Sequence, residues 1–243
     1  MKASILVCAL MVSTAGLAAA GPGGVNLGWN DCGGTPASLN QTFACNTNTG
    51  TLHTLVGSFV APCCVTAMSA NEIVMNLQSA GAAYPAWWQM GTGRCRPTSL
   101  GANFDFSAGP FTCLDYWQGG AVGGQSLDQI TGNRARLRLV CAIPAASPLI
   151  GPVAEGTEVY SYKVIINNQR TVGTACTGCQ TGMCIVLNSI MIDQPASAPG
   201  GNKFLSTPAV RNFATWQGGT GGNCLQATPA RNTTWGSIKA QYR

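Results

Sequence analysis

Three tryptophan-glutamine pairs are the residues best suited to chemistry: "W-W-Q-M-G-T-G-R-C" at 87–95, "C-L-D-Y-W-Q-G-G" at 113–120 and "T-W-Q-G-G-T-G-G-N-C" at 215–224. An indole offers a flat apolar face with a polar edge, and a neighbouring amide can bond to hydroxyls. Trp87, Trp88, Gln89, Trp117, Gln118, Trp216 and Gln217, with Asp115 beside Tyr116, are therefore the candidate binding residues for a neutral polysaccharide. The competing use is structural. Each pair lies within eight residues of Cys95, Cys113 or Cys224, glycines let a turn close over a ring, and large aromatics usually supply buried area. The structural use is the one preferred here.

Catalytic constellations are harder to assemble. His53 with Cys63 or Cys64 offers a base and a nucleophile but no orienting acid. Asp31, Glu72, Asp105, Asp115, Asp128, Glu155, Glu158 and Asp193 would suffice for a glycosidase-like pair whose members spacing does not select. No G-x-S-x-G, H-E-x-x-H, Walker or dinucleotide pattern occurs, so no catalytic residue is assigned. "C-T-G-C" at 176–179 has zinc-like spacing, but the one histidine is remote. No metal or cofactor is expected. Arg134, Arg136 and Arg138 alternate along one segment and read as the solvated side of a strand.

The compartment decides how the cysteines are read. Lys2, the apolar run Ile5–Val12 and Ala18-Ala19-Ala20 have the order of a secretory signal peptide, expected to be cleaved after Ala20. Residues 21–243 then form one domain, with a division into two lobes near 142–153 as the alternative. Of 12 cysteines, loss of Cys8 leaves an odd eleven in an oxidising medium. Cys32 with Cys45 and Cys95 with Cys113 are expected to pair locally. Cys176, Cys179, Cys184 and Cys224 are expected to form two further bridges of open connectivity. Cys141, on an apolar strand face, is expected to be free, and Cys63 and Cys64 to seek different partners.

Charged residues make up 9% of the chain and the net charge is +5, too dispersed for nucleic-acid binding. No later run is long and apolar enough for a membrane span. Strands are expected at 25–29, 54–60, 71–79, 103–106, 135–143, 157–168 and 183–192. In the fifth, Ala135, Leu137, Leu139, Cys141 and Ile143 share a face; in the sixth, Tyr160, Tyr162, Val164 and Ile166 oppose Ser161, Lys163 and Asn167. Gly- and Pro-rich clusters at 46–51, 119–124 and 195–202 read as turns. A short terminal helix is expected around Trp235, Ile238 and Tyr242.

The fold expected is all-β: a disulfide-stapled, jelly-roll-like antiparallel β-sandwich with a short C-terminal helix. From "V-L-N-S-I" through "T-W-Q-G-G-T-G-G-N-C" to "N-T-T-W-G-S-I-K-A-Q-Y-R" the sequence resembles uncharacterised exported bacterial proteins. That resemblance implies secretion and brings no activity with it. The expected role is therefore a secreted, non-enzymatic structural or interaction component, self-association included. Carbohydrate binding through the Trp-Gln turns and hydrolysis by a carboxylate pair are the alternatives.

Overall fold

The structure, a computed structural model, describes residues 23–30, 32, 39–50, 52–107, 113–173, 176–219 and 224. The expected signal peptide and C-terminal helix lie outside them. Among these residues, eleven strands form two sheets. The smaller, in spatial order, comprises β1 (Gly24–Trp29), β3 (His53–Val60), β8 (Glu158–Ile166) and β5 (Leu100–Asn103). The larger comprises β2 (Asn40–Gln41), β11 (Phe213–Trp216), β9 (Met183–Asp193), β4 (Ala70–Ser79), β7 (Arg134–Ala142) and β6 (Val122–Thr131), with β10 (Lys203–Leu205) also paired to β9. The pairings between these strands are antiparallel except β2 with β11. Residues 143–157 carry the chain from β7 in one sheet to β8 in the other. No helix among the described residues is long and apolar enough to cross a membrane.

Period-two patterning explains the core. In β7, Ala135, Leu137, Leu139 and Cys141 are buried while Arg134 and Arg138 face solvent. β4 repeats the pattern with Asn71, Ile73, Met75 and Leu77, and β9, near the middle of the larger sheet, is buried along almost its whole length. One continuous cluster joins these residues to Leu55, Phe59, Val159 and Val164 of the smaller sheet.

β8 departs from simple alternation. Gly57 pairs with Tyr162 but Ser58 with Tyr160, so Ser161 is an extra residue, a β-bulge. It turns Ser161 inward, where its hydroxyl accepts from Asn71 Nδ2 at 2.8 Å, beside Tyr162, whose hydroxyl meets Met75 Sδ at 3.5 Å. Tyr160 is thereby separated from Tyr162 and shares Phe106 with Lys163 instead, at 5.9 and 5.0 Å. The expected grouping of Tyr160 with Tyr162 is corrected by this one inserted residue.

Two other boundaries differ from expectation. The strand expected at 103–106 is β5 at 100–103, because Asn103 Oδ1 accepts from Asp105 N and Asp105 Oδ1 from Ser107 N, which turns the chain. The glycine cluster 119–124 is only partly a turn, since β6 begins at Val122. Gly123 sits so close to β7 that an added Cβ would lie 1.9 Å from the Val140 carbonyl, so the glycine marks a close strand approach.

The disulfides are mostly long-range. Cys32 joins Cys113, Cys45 joins Cys179, Cys95 joins Cys176 and Cys184 joins Cys224. The expected local bridges Cys32–Cys45 and Cys95–Cys113 are thus wrong: strand pairing brings sequence-remote loops together, and spacing alone does not report it. Cys63 and Cys64 bridge each other at an exposed turn where Cys64 has φ 70°, contrary to the expectation of separate partners. Among the described residues Cys141 is the free cysteine, its thiol pushed up to about 12 chiefly by burial. Loops of 81 to 134 residues correspond to about 4–5 kcal/mol of stabilisation per bridge in the chain-entropy account.

Candidate binding groove

β6 is the last strand of the larger sheet, and nine of its ten residues are exposed. Its sequence explains this: "V-G-G-Q-S-L-D-Q-I-T" mixes glycine and polar residues with little to bury. Only Leu127 is half-buried. Between β6 and residues 90–97 runs a groove of about 440 Å³. Met90 and Leu100 are its buried lining, while Arg94, Gln125, Asp128 and Gln129 supply exposed polar groups. Gln125 Nε2 donates to the Leu100 carbonyl at 3.3 Å, linking the edge of one sheet to the edge of the other. Asp128 pairs with Arg138 at 3.4 Å, both more than half exposed, a contact worth little in water. Arg94 makes no ion pair among the described residues.

The far wall is held by Arg94's neighbours. Cys95 is bridged to Cys176. Arg96 is 1% exposed, yet its guanidinium has no carboxylate among its described hydrogen-bond partners. Nε donates to the Gln169 carbonyl at 2.6 Å, Nη1 to that of Trp87 at 2.9 Å and Nη2 to that of Asn167, and the group lies 3.6 Å from the Trp87 ring centroid. Carbonyl dipoles and the indole face compensate the buried cation. Burial lowers its pKa to about 10, leaving it charged at neutral pH. Arg96 thus fixes the loop that presents Arg94.

A small recess of about 10 Å³ lies beside the groove, lined by Tyr84, Trp88, Gln89, Arg94 and Gln129 among others. Tyr84 Oη and Trp88 Nε1 are buried and have no hydrogen-bond partner among the described residues. Burial also raises the Tyr84 pKa, so its hydroxyl keeps its proton and can donate.

The Trp-Gln residues fall into three places. Trp87 and Trp216 pack 4.9 Å apart, centroid to centroid, in a cluster with Trp29, Phe43, His53 and Trp88. Trp88 and Gln89 also line the recess. Asp115, Trp117 and Gln118 lie apart, along two adjoining hollows of about 260 and 200 Å³ bounded by Leu114, Tyr116, Leu149 and Ile150. The four indoles are 0–1% exposed, so they present no stacking face to a sugar ring. Trp87 Nε1 donates to Thr171 Oγ1, Trp117 Nε1 to the Ser161 carbonyl and Trp216 Nε1 to the Cys179 carbonyl. Asp115 is occupied too: its oxygens accept from Trp117 N at 3.0 Å and Gly119 N at 2.8 Å.

His53 is buried against Phe43 and Trp216, with Nε2 2.9 Å from Asn168 Oδ1. Desolvation holds its pKa below the ordinary value. Neither groove gathers two carboxylates: the first holds Asp128, the second Asp115. Sequence reasoning missed Arg96 and β6, and took Tyr84 only as a neighbour of the Trp-Gln turns. Arg96 carries no motif, while an exposed edge strand lacks the apolar alternation that reveals a buried one.

Comparison with known proteins adds little. No family model matches the chain, and no curated protein matches it. Among solved structures, a cohesin module from a Clostridium perfringens family 33 glycoside hydrolase is similar at TM-score 0.34 and 8% identity, over 79% of this chain and 92% of that one. A type II cohesin module from an Acetivibrio cellulolyticus adaptor scaffoldin reaches TM-score 0.27 and 12% identity, over 76% and 85%. Likeness of this degree assigns neither a family nor a partner.

Proposed function

We propose that this protein is a secreted, non-enzymatic interaction component that takes an extended segment of another protein along strand β6. One observation carries the reading: a ten-residue edge strand, exposed over nearly its whole length, borders a groove with buried apolar and exposed polar lining. An unpaired strand edge offers a row of main-chain donors and acceptors to an added strand, and a groove beside it can select alternate side chains. Extracellular residence is supported by the bridges Cys32–Cys113, Cys45–Cys179, Cys95–Cys176 and Cys184–Cys224. The polysaccharide alternative draws no support from four buried indoles, nor hydrolysis from grooves with one acid each.

The test is selection from a displayed library of linear peptides on the oxidised protein, followed by amide hydrogen exchange. Binders should protect amides of β6 and bind at least about tenfold more weakly to Gln125→Lys/Gln129→Lys, since lysines on an edge discourage pairing. Protection confined to another surface, or binding indifferent to both lysines, overturns the reading. Sedimentation at rising concentration shows whether a second copy can serve as the added strand.

A further inference from the structure

Among the described residues, the four long-range bridges span 40 to 134 residues and each buries one of its two cysteines. Cys63–Cys64 does neither: it joins neighbours, and both are exposed. A cross-link stabilises mainly by removing loop freedom from the unfolded chain, so one between neighbours contributes almost nothing of that kind. The turn that carries it, between β3 and β4, is held by other groups. Buried Gln194 accepts at Oε1 from Thr66 N at 2.7 Å and Ala67 N at 3.2 Å, and its Nε2 donates to the Cys64 carbonyl at 3.4 Å. Val153 N donates to the Val65 carbonyl at 2.9 Å. Cys64 itself keeps φ 70°, a left-handed conformation that costs a residue with a side chain and persists where the surroundings over-determine it.

We propose that Cys63–Cys64 is a thiol–disulfide exchange site, which reacts with soluble thiols while the four long-range bridges stay closed. Exchange requires a thiolate to reach a sulfur, and among the described bridges this is the one exposed at both cysteines. The incoming thiolate bonds to one cysteine sulfur as the Cys63–Cys64 bond breaks. The other cysteine leaves as a thiolate and takes up the proton the reagent gave up. A second thiol attacks the reagent sulfur of the mixed disulfide. Two thiols are then joined as their disulfide, and the protein, reduced by two electrons, holds two adjacent thiols. Because Gln194 and Val153 fix the turn independently of the bridge, the pair stays in place, and an external disulfide recloses it by the reverse steps. Strand uptake at β6 plays no part in this chemistry.

The test incubates the oxidised protein with reduced glutathione, quenches samples with N-ethylmaleimide and maps the labelled cysteines by mass spectrometry. Cys63 and Cys64 should open at least about tenfold faster than any of the four long-range bridges, through a glutathione adduct on one of the pair. Returned to oxidised glutathione, wild type should reclose the pair, whereas Cys64→Ser should retain the adduct on Cys63. Cys63→Ser/Cys64→Ser should unfold at the wild-type denaturant midpoint, because the bridge is not a staple. Three results overturn the proposal. They are opening no faster than at the other bridges, labelling of both cysteines before any glutathione is added, and a midpoint lowered in the double variant.

Discussion

Two stretches read Trp-Gln-Gly-Gly, at 117–120 and 216–219, and they fold alike over the Gln-Gly pair, part at the last glycine, where only Gly219 is left-handed, and differ in what the glutamine side chain does. Gln118 and Gln217 have φ of 51° and 53°, and Gly119 and Gly218 have φ of 69° and 67°. Both preceding indoles are buried and donate to a main-chain carbonyl of a distant segment. The glutamines then diverge. Gln217 is a clamp: Oε1 accepts from Phe43 N, while Nε2 lies 2.9 Å from the Phe43 carbonyl and 3.3 Å from that of Cys179. Gln118 is exposed and lines the second groove. The four-letter motif therefore encodes a left-handed turn capped by a buried ring, and the surroundings decide whether its amide becomes structural. Trp88-Gln89 lacks this backbone, since Gln89 has φ −81°.

The largest test of this comparison is loss of the rings. Trp117→Ala and Trp216→Ala should each destabilise by about 3–5 kcal/mol, measured by denaturant unfolding of the oxidised protein. A cost under about 1 kcal/mol at either position breaks the claim that both indoles anchor their turns. The glutamines should then separate the two sites. Gln217→Ala leaves the Phe43 main-chain groups without these partners and should cost about 1–3 kcal/mol, whereas Gln118→Ala should stay within about 0.5 kcal/mol. Equal effects would erase the distinction.

The smallest effect concerns pH and only the Trp216 side, where His53 packs edge-on at 5.0 Å. Burial depresses the folded-state pKa of His53 below its ordinary 6.5. As pH falls below that value the unfolded chain takes the proton first, so stability is full above it and declines toward the folded-state pKa. The difference between wild type and His53→Gln should be flat above 6.5 and shrink below it. A flat difference across the whole window would show that His53 is not held neutral. No such histidine packs on the Trp117 turn.

Much of the sandwich was readable because buried strands alternate. β4, β7 and β9 lie within a residue or two of expectation, and Cys141 is the free thiol its strand face implied. Two kinds of information were not local. A single bulge at Ser161 reassigns Tyr160, and nothing in "V-Y-S-Y-K-V" marks it. The disulfide partners depend on which loops the two sheets bring together, so nearest-cysteine reasoning paired Cys32 and Cys95 wrongly. The candidate site was least legible. Its strand has too little apolar character to signal itself, and its recess joins Tyr84, Trp88 and Gln129, residues whose meeting depends on the fold. Trp88 and Gln89 were candidates for sugar stacking and hydroxyl bonding, with a structural use preferred, and their place is the wall of a small recess.

The crossover at 143–157 is mostly exposed, the sort of segment a protease cuts first. Cleavage there would leave the N-terminal piece with Cys45 and Cys95 and the C-terminal piece with Cys179 and Cys176, still tied by two covalent bonds. The fragments could not diffuse apart, and the cut ends would remain beside the sheets they came from. Two nested bridges that span the crossover thus hold a nicked chain together as one covalent molecule.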